Sequence, residues 1–240
     1  MPGSFRDYYD KEWRIKLERK EYKTLERRWR SRWDFARKHI TDNSMVLDAA
    51  CGDGVLGMFL TQKQQCKVHG LDVSPYAIEI ARERGVDAQL CDISGDSFPY
   101  SDEHFDAVTM LCCLEHVLDP VHAMREARRV TKVGGIIIVT LPNAVYFWNR
   151  LWFLLGKTSP DLLHINPGEG MHIQFFNYTN DFENRVLSQV EGLTTHMKRA
   201  DLKNPKKYSR LTRGALYLLM KISPNLFAQY THWILAKGAG

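Results

Sequence analysis

Apolar positions along the chain follow two different periods. Leu25, Trp29, Trp33, Ala36 and Ile40 recur at i, i+4, i+8, i+11 and i+15, one helical face lined with aromatics and flanked by basic residues. Thr41, Asp42 and Asn43 then break the helix. Beyond them the period shortens. Met45 to Leu47 reads as a strand ended by a glycine cluster, Val55 to Gln62 as a helix, and Lys67 to Leu71 as a second strand. Ser74 and Pro75 supply an N-cap and a first-turn proline, and Gly85 ends that helix. Asp87 to Leu90 and Phe105 to Leu111 read as strands, with a helix over Pro120 to Val130. Ile136 to Leu141 is a β-branched run suited to a strand buried on both faces. This alternation predicts an α/β fold, a doubly wound and mostly parallel sheet with right-handed crossovers and helices on both faces.

After Pro142 the alternation stops. Residues 143–178 read as a long aromatic insertion, Asp181 to Gln189 as a helix and Leu193 to Met197 as a strand. Residues 201–227 read as a basic, partly helical insertion before a last strand at Tyr230 to Lys237. The expected organisation is one domain over 1–240. It has an N-terminal helical lid at 1–44, a core at 45–142, an acceptor-side insertion at 143–178 and a C-terminal part at 179–240.

At 240 residues and 44% hydrophobic, the chain is long enough to bury a core without disulfides or metal. Its cysteines (51, 66, 91, 112 and 113) form no C-x-x-C pair, which argues against zinc and fits reduced thiols. The first residues hold no apolar signal-peptide core, and no run approaches a membrane span, so the expected location is cytoplasmic. The net charge of +5 is unevenly spread. Residues 11–40 hold twelve Lys/Arg against five Asp/Glu, and residues 198–221 hold eight against one, +7 each, which leaves 5 − 14 = −9 for the rest.

The glycine cluster sits in that acidic body. Gly52, Gly54 and Gly57 satisfy G-x-G-x-x-G between a strand and a helix, a spacing shared with dinucleotide-binding folds. Asp48 at the strand end and Asp53 inside the loop would repel a pyrophosphate and attract an ammonium or sulfonium. Asp72 ends the second strand, where a carboxylate can take ribose hydroxyls, and Asp92 with Ile93 follows the third, where they can meet an adenine amine and ring. Three acidic strand ends line the crevice where open α/β sheets bind ligands.

The run Val46 to Gly54 resembles motif I of the class I S-adenosylmethionine-dependent methyltransferases, in their UbiE-like, type-11 small-molecule branch. The likeness continues through Gly70 to Ser74, Cys91 to Ile93, Phe105 to Asp119 and Val133 to Pro142. It implies a Rossmann-like, seven-stranded sheet and S-adenosylmethionine as cofactor, with S-adenosylhomocysteine as product. It also implies that Asp48, Ala50, Gly52 and Gly54 cradle the methionine end, Asp72 and Val73 the ribose, and Asp92 and Ile93 the adenine. Leu111 would offer backbone near the methionyl amine. Arg32, in a segment resembling an arginine-bearing helix of some relatives, would meet the cofactor carboxylate. Ala50 departs from the family, whose members often have glycine there; an extended backbone would tolerate the alanine.

Methyl transfer needs alignment, exclusion of water and, for a hydroxyl, a base. His172 and His116 are the candidate bases, with His164, Glu169 and Tyr178 nearby in sequence; for each, an ordinary packing or loop residue competes. Leu111 to Leu114 replaces the N/D-P-P-Y/F loop of relatives that methylate adenine N6 or glutamine, which disfavours those acceptors. The expected reaction is methylation of an oxygen or nitrogen on a small molecule, a sugar, nucleotide-sugar or other natural product, with an anionic acceptor suited to the basic flanks. The alternatives are RNA, a membrane-associated lipid, a non-catalytic cofactor-binding partner subunit, or an NAD-dependent enzyme. Leu211 to Met220 with Phe227 and Trp233 would suit a membrane interface.

Overall fold

The computed structural model describes residues 5–18, 22–157, 164–166, 170–172, 181–202 and 205–239. Two helices, α1 (Phe5–Glu18) and α2 (Tyr22–His39), precede the sheet. The strands and helices β1 (Met45–Ala49), α3 (Val55–Gln64), β2 (Lys67–Asp72), α4 (Pro75–Glu83) and β3 (Asp87–Leu90) build one half. The other half starts with β4 (Phe105–Leu111), α5 (Pro120–Val130) and β5 (Thr131–Pro142).

Along each central strand, successive residues face opposite layers. Leu47, Val108, Ile137 and Val139 join Met124, Ala127 and Val130 of α5 in one core. Val46, Ala107 and Ile138 join Leu56, Leu60, Ile78 and Ala81 in the other, which Phe35 and Ala36 of α2 and Ile40 just after it complete. The aromatic face expected on α2 is buried at Ala36 and Ile40, and Trp33 packs beside it. The side chains of Leu25 and Trp29 lie outside the described residues. The Ser74 cap forms as its sequence implies, its Oγ accepting from Ala77 N at 3.1 Å with Pro75 opening the helix. Asp119 caps α5 in the same way through His122 N at 2.9 Å.

The seven-stranded sheet has the order β3-β2-β1-β4-β5-β9-β8. Strand β9 (Tyr230–Lys237) runs antiparallel between β5 and β8 (Leu193–Asp201), so Tyr230 pairs with Pro142 and Ala236 with Ile136. Between β5 and β8 lie α6 (Phe147–Leu154) and a two-stranded ladder, β6 (His164–Asn166) with β7 (Gly170–His172). The helices α7 (Arg210–Ile222) and α8 (Pro224–Phe227) precede β9 and pack around Leu202, Met220 and Ala228.

Two local expectations need correction. Phe182–Val186 forms a π-turn and Leu187–Gln189 a 3-10 turn, where the sequence predicted an ordinary helix. Tertiary anchors decide this segment: Phe182 packs on Trp233 at 4.8 Å, and Trp233 Nε1 donates to Glu183 at 2.8 Å. Strand β8 extends to Asp201, beyond the expected Met197, because β9 offers partners along that whole length.

Candidate functional site

Sheet order reverses between β1 and β4, so the crevice at the carboxyl ends of the strands opens there. The loop after β1 is wound through left-handed backbone at Ala50 (φ 67), Gly52 (φ 53) and Gly54 (φ 76). At Gly54 the glycine is also needed for space, since a Cβ would lie 2.9 Å from the Ala81 Cα of α4. Ala50 is the departure from expectation: it is left-handed, not extended, and holds a conformation that costs an L-residue about 1–2 kcal/mol.

Asp48 is buried at the end of β1 and accepts from Thr109 Oγ1 at 2.7 Å. Burial, helped by the charges of Asp72 and Asp53, pushes its carboxyl up to about 7 against the Thr109 bond. Asp72 is buried at the end of β2 and accepts from Gly52 N at 2.8 Å and Ser74 N at 3.0 Å. Burial raises its pKa too, while those bonds and Lys16 oppose the shift. Asp53 is different, because Arg84 neutralises it in an ion pair and Arg84 Nη1 also donates to its carbonyl at 2.7 Å. The negative field of the loop therefore belongs to Asp48 and Asp72, and Asp53 anchors the loop to the end of α4. Val73 is half-buried just beyond Asp72.

Asp92 is half-buried after β3 and accepts from Ser94 N at 2.9 Å, beside the buried Ile93. Leu111 ends β4, half-buried, and the chain then turns through Cys112 at φ 56, held by Cys112 N to Thr140 O at 2.8 Å. The adjacent cysteines thus lie past the strand and not on its two faces. Arg32 of α2 reaches this turn, buried, with its guanidinium 5.0 Å from the Tyr230 ring centre. Cys112, Tyr230 and Glu115 all hold it in its charged form against the desolvation of burial.

Glu115 is buried after β4, and burial pushes its carboxyl up to about 8 despite Arg32. His116, half-buried, stands with Nε2 3.8 Å from Glu115 and its ring against Tyr9 of α1, centroids 6.4 Å apart. His172 and His164 are register partners across β6 and β7, with side chains outside the described residues. Glu169 and Tyr178 also lie outside them.

Helix α1 falls within the helical lid expected over 1–44, but sequence reasoning did not place its contacts. It lies across the glycine loop: a Cβ on Gly52 would come 2.4 Å from the Trp13 ring. Asp10 accepts from Ser74 Oγ at 2.9 Å and Tyr76 N at 2.8 Å, adding a second cap to α4, and Arg14 lies over the Tyr76 ring at 4.4 Å. Tyr9 is half-buried, and desolvation, with the charge of Glu12 first among its neighbours, pushes its hydroxyl pKa up. A signal was present, since Tyr9 and Trp13 share a helical face and Asp10 and Arg14 form an i,i+4 pair.

Comparison with known proteins fits this geometry. Residues 47–139 match the methyltransferase domain family. Over that stretch the chain is similar to the methyltransferase domain family. The chain is 37% identical over 103 residues to a ubiquinone biosynthesis O-methyltransferase of Alkalilimnicola ehrlichii, covering 41% of each chain. It is 34% identical over 153 residues to that of Pseudomonas entomophila, covering 62% of this chain and 63% of the other. The aligned part thus spans about two fifths to just under two thirds of these relatives. A solved S-adenosylmethionine-dependent methyltransferase from Thermotoga maritima shares the fold, with TM-score 0.63, 20% identity, and 93% and 97% of the two chains covered. S-adenosylmethionine is the methyl donor of this family. The site suits it: Asp48 and Asp72 are buried carboxylates whose pKa values burial raises, and a sulfonium and ammonium would favour their ionised forms. Among the described residues no helix is long and apolar enough to cross a membrane, and no His/Cys/Asp/Glu group is arranged to hold a metal.

Proposed function

We propose that the protein transfers the methyl group of S-adenosylmethionine to an oxygen or nitrogen of a small-molecule acceptor. The observation that carries this reading is the pair of buried carboxylates, Asp48 and Asp72, around a left-handed glycine loop at the sheet's reversal point. That field favours a cationic ligand and opposes the pyrophosphate of NAD.

When bound, the cofactor supplies a methyl already activated by its sulfonium. The chain's own work is to hold and shield it. Asp48 meets the cationic methionine end beside Gly52, Gly54 and Ala50, and Arg32 meets its carboxylate. Asp72 accepts the ribose hydroxyls, with Val73 alongside, through the lone pairs its bonds to Gly52 and Ser74 leave open. Asp92 and Ile93 take the adenine, and the Leu111 carbonyl faces the ammonium. Trp13 and Tyr9 exclude water from the loop, which strengthens each of these interactions.

An hydroxyl acceptor gives its proton to His116, positioned by Glu115, or to His172 from the β6–β7 ladder. The acceptor is an aromatic natural product in preference to a sugar or nucleotide-sugar, a choice supported by the ubiquinone-biosynthesis names of the relatives. Calorimetry with S-adenosylhomocysteine and NAD tests the cofactor half; binding of NAD alone would overturn it. Mass-detected methyl transfer to a panel of hydroxylated aromatics and amines tests the rest. Loss of turnover with unchanged cofactor affinity is expected in His116→Ala or His172→Ala, and full turnover in both single variants and the double variant would remove the base assignment.

A further inference from the structure

Among the described residues, most of the exposed large hydrophobic side chains lie on the two helices that follow β5 and precede β9. In α6 and the residues just after it, Trp148, Trp152 and Leu155 recur at i, i+4 and i+7 and are 54%, 40% and 62% exposed. In α7, Leu211, Ala215, Leu218 and Ile222 recur at i, i+4, i+7 and i+11, with the leucines and isoleucine 62–87% exposed. The opposite side of α7 is occupied: Leu216, Tyr217 and Met220 pack on Leu202 and Ala228. This helix is therefore apolar on both sides, and among the described residues only one side has a protein partner.

Helix α6 is tied to α8, which follows α7 directly. The ring of Phe147 stacks on Phe227 of α8 at 6.0 Å, and Asn143 Nδ2 donates to the carbonyls of Asn225 and Ala228. Both stand at the crevice end of the sheet, because β5 ends at Pro142 and antiparallel β9 begins opposite it at Tyr230.

We infer that the exposed faces of α6 and α7 dock on the surface of a bilayer containing anionic phospholipid. Charge selects this occupant. Residues 198–221 carry eight Lys/Arg against one Asp, and residues 143–157 carry Arg150 and Lys157 with no acidic residue. Lys157 lies over the Trp152 ring at 5.0 Å, an indole and ammonium side by side at the edge of the apolar stripe. Exposed tryptophans and leucines in segments rich in basic residues are the composition of an interfacial helix. A second copy of the same face would bring like charges together, and protein interfaces are depleted in lysine at their centres. Docked this way, the crevice opens toward the membrane, and an acceptor dissolved in the bilayer reaches it without crossing bulk water. The docking itself does not depend on the methyltransferase reading.

Vesicle flotation of the full chain tests it. Binding is expected to vesicles of phosphatidylcholine with roughly 30% phosphatidylglycerol, to weaken with added salt, and to be much weaker on phosphatidylcholine alone. Tryptophan emission should shift to the blue on binding. The double variant Leu218→Gln, Ile222→Gln, whose side chains are exposed and whose thermal melt should match the parent, should lower partitioning by on the order of tenfold or more. Absence of flotation, or flotation unchanged by the double variant, would overturn the inference. So would a parent dimer that the double variant makes monomeric without vesicle binding, which assigns the face to a second copy. S-adenosylhomocysteine calorimetry on the same samples reports separately on the cofactor site.

Discussion

The two halves of the sheet solve different problems. Around β1, β2 and β3, polar groups are buried and each has an assigned neighbour: Asp72 with Gly52 and Ser74, Asp48 with Thr109, Asp53 with Arg84. Around α6 and α7, large apolar side chains stand in solvent. The first half is shaped by close backbone approach, so few residues are permitted at each position. The second is shaped by what it meets, and many apolar residues would serve. On the proposed reading, the cofactor is bound where the backbone dictates the sequence, and the acceptor is met where it does not.

The sharpest break of that contrast uses two glycines. Gly54→Ala places a methyl against the α4 backbone in a left-handed conformation and should lower stability by about 2–4 kcal/mol, read as a fall in Tm. Gly214→Ala, on α7 with open space around it, should instead raise stability by about 1 kcal/mol. Equal effects would erase the distinction between the halves.

Next in size, Asp72→Ala should weaken S-adenosylhomocysteine binding by on the order of 1–3 kcal/mol in calorimetry, through loss of charge-assisted bonds. Unchanged affinity would remove its ribose role.

Acidity separates the halves as well. Asp48 and Glu115 titrate near 7 and 8 when folded, above their ordinary values of 3.8 and 4.5. The folded state therefore holds these protons more tightly than the unfolded state. Their contribution to stability is complete below about pH 4 and is lost as pH rises through 7 to 8. Asp48→Asn or Glu115→Gln should flatten denaturant-derived stability over that range relative to the parent. A cationic ligand favours the ionised carboxylates, so cofactor binding near pH 6 should release protons, seen as a buffer-dependent calorimetric enthalpy that Asp48→Asn reduces. His232, stacked on Phe35 and held near 3 by burial, acts in the opposite sense, its contribution being lost as pH falls from 6.5 toward 3. The smallest effect is expected from Ala50→Gly, which relieves the left-handed strain but loosens the unfolded chain, for a net gain of under about 1 kcal/mol in a thermal melt.

The same contrast explains what could be read in advance. Strands β1 to β4 and the Ser74 and Asp119 caps were legible because period, cap and proline all agree locally. The acidic strand ends at Asp48, Asp72 and Asp92 stand where the motif order puts them, at the carboxyl ends of β1, β2 and β3. Ala50 was misread because a side chain's identity does not reveal that its backbone has been forced left-handed by the loop around it. The turn at 182–189 was misread because Trp233, fifty residues away, sets its geometry. The role of α1 was hidden for the same reason: Trp13 and Asp10 acquire meaning only from Gly52 and Ser74, which tertiary folding brings beneath them.

That placement of α1 sets a clock on the reaction. Trp13 rests on the glycine loop proposed to receive the cofactor, and Asp10 ties the helix to the start of α4. Cofactor and spent product then exchange no faster than this helix swings clear. Observed association rates in stopped flow should level off at high ligand concentration, and Asp10→Ala, by loosening the tether, should raise the plateau.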